Sequence, residues 1–323
     1  MSGERIAVGV DLGGTKILTI AMDAEGKVLG RSLHPTPHEG EDVALHALAT
    51  SVEEAMRSAG LTQGDVAGVA VGAPGPMDPD AGVLLEPPNL PGCQNLPIRS
   101  YLQERLKMDV RVENDANVAA IGEYRFGAGR GVADMVYVTV STGIGGGVMV
   151  AGRLMRGAGR TAGEIGHMVL AHGQEICPCG RSGCWEAICS GTAIAHRAQE
   201  AVAAGRASPG LVQAASGQSL AAPVVLQAAA EGDPTAQAIL ARVVEYNGVG
   251  LMNLLHLFSP GMIVIGGGLT HAWDTLIAPA ADWAKRNAFQ RPAAVCRIVR
   301  AELGDMVGAV GAAALALDPD TLL

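Results

Sequence analysis

The chain has 323 residues, enough for one large domain or two of ordinary size. Apolar residues make up 49% and charged residues 17%, which excludes a disordered chain; with aromatics at 3% and 44 glycines, its cores are built from small aliphatics joined by tight turns. The formal charge of −9 argues against a nucleic-acid surface, which needs a clustered positive footprint, but not against phosphate held by glycine-rich backbone.

In chain order, Arg5–Val10 reads as a strand, Asp11–Lys16 as a glycine turn and Ile17–Met22 as the returning strand. A turn at Asp23–Gly26 leads to a third strand, Lys27–Leu33. Residues Met1–Arg5 are polar and run straight into the first strand, so no signal peptide is expected and a cytoplasmic location is. Ala44–Ala59 has helical spacing and ends at Gly60, a C-cap residue. Val66–Val71 is a strand entering the turn-rich Gly72–Pro79, and Val110–Val112 is a strand followed by the helical Ala116–Arg125.

The second half opens as the first does: strand Met135–Val140, glycine turn Ser141–Gly145, strand Gly146–Val150. Ala203–Pro223 is rich in Ala, Ser, Gly and Gln with weak periodicity, and is read as a mobile or loosely packed surface loop. The most apolar stretch, Val249–Leu269, contains Asn253, His256, Ser259 and Pro260, so it reads as a buried helix and strand; no membrane partner is expected. Within it, Met262–Ile265 is a strand and Gly266–Gly268 a turn, with a helix to follow. Two halves with the same opening suggest a weak internal duplication, hence two similar α/β domains with a cleft between them.

Four constellations carry candidate chemistry. In D-L-G-G-T-K, Gly13 and Gly14 let backbone N–H groups approach a phosphate, Thr15 offers a hydroxyl and Lys16 a charge. Asp11, at the strand end, suits a magnesium ion directly or through water. The hexamer alone suits an ordinary hairpin turn equally well, and it is neither a Walker A loop nor a Rossmann fingerprint. S-T-G-I-G-G-G, with Thr142, Gly143 and Gly145, repeats the logic in the second half, and a nucleoside triphosphate needs a cradle from both sides. A third glycine turn, with Gly266 and Gly267, suits either an adenosine contact or tight strand-to-helix packing.

E-N-D, Glu113–Asp115, lies between a strand and a helix. Its carboxylate is of the kind that accepts an alcohol proton in phosphoryl transfer, with Asn114 as a neutral hydrogen-bonding neighbour; helix capping is the alternative. Finally, E-I-G-H (164–167) precedes C-P-C-G-R-S-G-C-W-E (177–186). His167, Cys177, Cys179 and Cys184 supply one imidazole and three thiolates, a closed set suited to structural zinc. Glu164 and Glu186 flank it as acceptors for sugar hydroxyls, while Cys93, Cys189 and Cys296 read as ordinary buried thiols.

Together these motifs, with G-A-P-G-P-M-D (72–78), P-N-L-P-G (88–92) and E-N-D-A-N (113–117), resemble the ROK family of bacterial sugar kinases and sugar-responsive repressors over nearly the whole chain. The resemblance implies an actin-like (ribonuclease-H-like) two-domain α/β sugar kinase fold with an interdomain cleft. The expected division is a small domain of residues 1–118 plus 305–323 and a large domain of residues 119–304. It implies ATP, Mg2+ and structural Zn2+ as cofactors, a sugar as acceptor and a homodimer or homotetramer. It makes Asp115 the catalytic base toward a sugar 6-hydroxyl, most simply that of glucose. Sugar contacts would come from Gly72, Asn89, Asn114, Asp115, Glu164, His167 and Glu186, with His167 giving one ring nitrogen to zinc and the other to the sugar. Glucose-specific members often carry an aromatic residue just after N-L-P-G, where this chain has Cys93. Kinases for N-acetylmannosamine, fructose, mannose or allose are the near alternatives. A repressor, which carries an N-terminal helix-turn-helix domain, is expected less because the first strand begins at residue 5.

Overall fold

The computed structural model describes residues 5–87, 93–173, 175–216 and 220–323. In chain order the first half gives β1 (Ile6–Leu12), β2 (Lys16–Asp23), β3 (Val28–Pro35), α1 (Glu41–Ser58), β4 (Val66–Ala73), β5 (Met77–Asp78), β6 (Val83–Leu84), α2 (Ile98–Leu106), β7 (Val110–Asn114) and α3 (Asp115–Phe126). Then come β8 (Met135–Val140), β9 (Ile144–Val150), β10 (Arg153–Leu154), α4 (Trp185–Cys189), α5 (Gly191–Ala203), α6 (Pro209–Ala215), α7 (Ala222–Ala230) and α8 (Pro234–Phe258). The chain closes with β11 (Met262–Gly266), α9 (Ala278–Asn287), α10 (Gln290–Val295), β12 (Arg297–Arg300), α11 (Val307–Leu317) and α12 (Pro319–Leu322).

The duplication read from the two openings is present in the sheets. One runs β3-β2-β1-β4-β7 and the other β10-β9-β8-β11-β12. In the first, β1 pairs antiparallel with β2 and parallel with β4, and β4 runs parallel to β7. The second shares this pattern, with β10 antiparallel to β9 and β11 parallel to β12. Each sheet is thus a meander extended by parallel strands, the ribonuclease-H-like order.

By contacts, the chain forms two compact units. The first is Met1–Tyr137, Gly147–Gly163 and Ala301–Leu323; the second is Val138–Gly146 and Glu164–Arg300. The sequence reading ended the first domain at residue 118, but all of α3 belongs to the first unit because α3 packs on α11. α11 is apolar all round and every residue from Gly308 to Leu317 is buried. A β-carbon at Gly311 would sit 1.7 Å from the Val118 carbonyl oxygen, and one at Gly9 would sit 2.0 Å from that of Ala309. Glycine there lets α11 lie in near-backbone contact with both α3 and β1.

Several local readings change. Ala203–Pro223 is not simply a loop: it contains α6, with Leu211 fully buried and its N–H donated at 2.9 Å to Asp233 Oδ2. Asp233 also caps α8 through Ala236 N–H, so one carboxylate organises a segment whose sequence shows little periodicity. The second glycine turn is shorter than read, because β9 starts at Ile144 and takes in Gly145. After Gly266–Gly268 comes a 3-10 helix, Gly268–Ala272, and one π turn, Trp273–Ile277, before α9. Among the described residues, no helix is long and apolar enough to cross a membrane.

Candidate active site

In the first unit, strand register assembles the candidate residues. Asp11 on β1 pairs with Gly72 on β4, and Gly72 pairs with Glu113 on β7. The D-L-G-G-T-K turn, the start of the Gly72 turn and the E-N-D junction therefore lie side by side at one end of one sheet. In open α/β sheets, ligands bind beyond the carboxyl ends of the parallel strands, which is this end. Gly72 is glycine for packing, since a β-carbon there would lie 2.4 Å from Val118 Cγ2.

The first glycine turn is closed by Gly13 N–H to the Lys16 carbonyl at 2.9 Å. Thr36, buried just after β3, braces it: its hydroxyl donates to the Gly13 carbonyl at 2.7 Å and its N–H to the Thr15 carbonyl at 3.0 Å. Nothing in the local sequence H-P-T-P singles Thr36 out. Burial pushes the Asp11 carboxyl up to about 6, against the pull of Lys16. A β-carbon at Gly308, in the first turn of α11, would lie 2.6 Å from Asp11 Cγ.

At E-N-D, Asn114 is the N-cap of α3, its Oδ1 accepting from Ala116 N–H at 3.0 Å and Asn117 N–H at 3.2 Å. Its amide nitrogen is thus the group with capacity left for a ligand. Asp115 is exposed, and its Oδ1 accepts from Ala116 N–H at 2.7 Å. Helix capping, the alternative role that the sequence offered for this carboxylate, falls to Asn114, and Asp115 is exposed. Asn89 lies outside the described residues.

In the second unit, four motifs converge on residues 140–144. Glu186 Oε2 accepts from Ile144 N–H at 2.8 Å. A β-carbon at Gly166 would lie 2.0 Å from the Ile144 carbonyl oxygen, and one at Gly143 would lie 2.3 Å from Glu186 Oε2. At the start of α5, Gly191 N–H donates to the Ser141 carbonyl at 2.7 Å, and the Thr192 hydroxyl to that of Thr142 at 2.9 Å. Gly267 has φ +88°, a value disfavoured for other residues, and a β-carbon there would meet the Val140 carbonyl oxygen at 2.5 Å. Two of these contacts, those of Glu186 and Gly166, fall on the Ile144 backbone, which no side-chain pattern marks.

The metal candidates also meet. The ligand atoms of His167, Cys177, Cys179 and Cys184 lie within 4.8 Å of one another. Cys179 Sγ is 3.7 Å from Cys184 Sγ, and Cys177 Sγ is 3.6 Å from His167 Nδ1. A tetrahedral zinc with Zn–S of about 2.3 Å puts its sulfur ligands about 3.8 Å apart, so the donors fit zinc. His167 Nδ1 faces this cluster, while Nε2 lies 3.9 Å from Glu164 Oε2. Burial pushes the Cys177 thiol up to about 12, and the Arg181 amide draws that of Cys179 down to about 7; three thiolates need a cation to coexist. Trp185 anchors the following helix, its indole N–H donating to buried Asn247 Oδ1 at 2.8 Å and its ring filling the space beside Gly250.

Duplicated meander-plus-parallel sheets, each with glycine turns at its strand ends, define an actin-like sugar kinase fold. The profile of the ROK family matches residues 7–319, and the chain belongs to that family. It is 34% identical over 324 residues to a glucokinase of Streptomyces coelicolor, covering 98% of this chain and 99% of that one. Among solved structures, a ROK hexokinase from Thermus thermophilus superposes with a TM-score of 0.80 at 35% identity, covering 96% of this chain and 97% of that one. A ROK family glucokinase from Streptomyces griseus, in complex with glucose and AMPPNP, gives 0.79 at 34% identity, covering 96% and 98%.

Proposed function

We propose that the protein is an ATP-dependent glucokinase that transfers the γ-phosphoryl group of ATP to the 6-hydroxyl of glucose. The observation that carries this reading is the register Asp11–Gly72–Glu113, which sets an accessible carboxylate, Asp115, beside a phosphate-type glycine turn. The similarity to glucokinases over the full chain supports glucose as the acceptor.

In this mechanism Asp115 accepts the proton of the 6-hydroxyl as the oxygen attacks phosphorus. Asn114 has its carbonyl oxygen committed to the α3 cap, so its amide nitrogen donates to a sugar oxygen in a fixed direction. Gly13, Gly14 and Lys16, and likewise Thr142, Gly143 and Gly145, are the groups for holding phosphate oxygens through backbone N–H groups and charge, and Gly266 and Gly267 those for the adenosine. Asp11 would be the carboxylate for the magnesium carried with ATP, which would neutralise charge on the phosphate oxygens. His167 Nδ1 and the thiolates of Cys177, Cys179 and Cys184 would hold zinc, which would fix the imidazole so that Nε2 is presented, with Glu164 and Glu186, to sugar hydroxyls. Asn89 and Gly72 complete the proposed sugar contacts. A metal set of three reduced thiolates suits the cytoplasm, and we place the protein there as a homodimer or homotetramer.

The test is an ADP-release assay with purified protein across glucose, mannose, fructose, allose and N-acetylmannosamine. Highest kcat/KM for glucose is expected. Preference for another sugar would reassign the substrate, and no turnover with any would overturn the kinase reading.

A further inference from the structure

Glu113, the residue before Asn114 and Asp115, is an acidic side chain only 1% exposed. Its Oε1 accepts from Asn114 N–H and from Asn117 Nδ2, both at 2.9 Å. Its Oε2 lies 2.9 Å from Nε of Arg156, whose side chain is 10% exposed. The two atoms are close but not aligned as a hydrogen bond, so the contact is ionic and each keeps unspent hydrogen-bonding capacity. Arg156 also reaches outward, with Nη1 3.6 Å from Asp80 Oδ1, and Asp80 Oδ2 accepts from Arg160 Nε at 2.9 Å. Arg99 holds the same turn by donating to the Pro79 carbonyl at 2.8 Å and to that of Asp80. All of these residues lie within the first compact unit.

A buried ion pair is an inefficient stabiliser, because desolvation offsets most of the attraction and apolar residues of similar volume serve as well. This one is oriented, however. Glu113 grips both the backbone entering α3 and the first turn of that helix, and Arg156 links it to the turn between β5 and β6. We infer that Arg156 is a positioning residue for phosphoryl transfer: acting through Glu113 and Asp80, it fixes the strand-to-helix junction that aims Asn114 and Asp115. The inference rests on the reading of Asp115 as the base. Arg156 touches neither reactant in it.

The experiment is a double-mutant cycle in the full chain, with Arg156→Met, Glu113→Gln, the double variant and Arg156→Lys. kcat, the KM values for glucose and ATP, and Tm are measured for each, beside the wild type. Arg156→Met is expected to lower kcat roughly 10–100-fold, the scale of a misplaced reacting group, with the KM for ATP within about threefold of wild type. The double variant should lose less than the product of the two single losses, because the two side chains share one contact. Arg156→Lys, which keeps the charge but not the fork that reaches two carboxylates, should recover part of the rate. Normal kcat in Arg156→Met, multiplying losses in the double variant, or an equal rise in the KM for ATP would overturn the role. Should Arg156→Met fail to fold, Asp80→Asn tests the outer arm at an exposed carboxylate. A fall in kcat of about threefold or more at unchanged Tm supports the inference, and unchanged kinetics overturn it. A wild type that phosphorylates no sugar overturns the proposed function and this role with it; an active wild type with an unaffected Arg156→Met variant overturns this role alone.

Discussion

The Glu186 carboxylate accepts the backbone N–H of Ile144 at 2.8 Å, tying α4 to the second glycine turn. Glu186 follows Cys184 by two residues, so the bond joins the candidate metal cluster and the second glycine turn within one unit. The sequence pointed to Glu186 only as a sugar contact. With one oxygen on Ile144, it has the other available for a hydroxyl, and its removal should be felt by both substrates. We expect Glu186→Ala to raise the KM for ATP about 10-fold or more as well as that for glucose, since a charge-assisted bond to a backbone N–H is worth about 1.5–3 kcal/mol. Glu186→Gln, which keeps an acceptor, should spare ATP. Steady-state kinetics in both substrates decide it, and an unchanged KM for ATP in Glu186→Ala would show that the turn holds its shape without the bond.

Asp115→Asn should bind glucose with near-normal affinity while kcat falls by about two to four powers of ten, the usual worth of a positioned general base. Asn114 makes the cap, so the substitution should leave α3 and the melting temperature nearly unchanged. Calorimetric titration beside the rate assay separates binding from chemistry, and near-normal turnover would remove Asp115 from the role.

Zinc should be present at one ion per chain and absent from Cys184→Ala. Structural zinc in small peptides binds with roughly 10–16 kcal/mol at neutral pH, but here the ligands sit in a large folded body and loss should be local. Arg197 ties Glu175 to the Ile188 carbonyl independently of the metal, which should keep much of the surrounding loop in place. Glucose phosphorylation should be lost while ATP binding is largely kept. Metal content by mass spectrometry with titrations of each ligand tests this; full zinc occupancy in Cys184→Ala would refute the ligand set.

The Asp11 carboxyl is pushed from its ordinary 3.8 up to about 6 by burial. A carboxyl raised by folding stabilises the native state while protonated, and that contribution is lost as pH rises through about 6. Keeping it ionised at neutral pH costs about 3 kcal/mol. Without nucleotide, the wild type should therefore gain stability as pH falls from about 7 toward 4. Asp11→Asn should be more stable than wild type at pH 7.5, with that part of the pH dependence removed and kinase activity lost. Thermal melts at pH 5 and 7.5 check both signs; a destabilised Asp11→Asn at pH 7.5 would show that the charge is already compensated.

Much of this arrangement was legible because the chemistry-bearing residues sit in short contiguous motifs. D-L-G-G-T-K and E-N-D appear where strand periodicity stops, the Cys–His set is marked by its spacing, and the repeated strand–turn–strand openings match two sheets of one topology. What could not be read were groups that act through backbone or from a distance. Thr36 braces its turn from outside the motif, with its hydroxyl and its N–H, and Ile144 is held by its backbone N–H, so no pattern within the motifs marks either. Arg156 finds Glu113 across 43 residues, a pairing that spacing cannot suggest. The Ala203–Pro223 segment hid a helix because one buried carboxylate, Asp233, does the work that periodicity usually signals. The first compact unit extends beyond residue 118 through α3, whose tie to α11 is made at glycines, which look like turn residues in sequence.

The near-backbone contact of Gly9 with α11 has a consequence for biosynthesis. β1 ends at Leu12, whereas the helix that covers it begins at Val307. At about 5–20 residues per second, roughly 15–60 s separate their translation. Until α11 is made, the part of the first sheet that it covers, β1 above all, is left open to the wrong partners. Nascent chains stalled before residue 307 should therefore be substrates for holdase chaperones, and the final turns of α11 act as the lock that releases them.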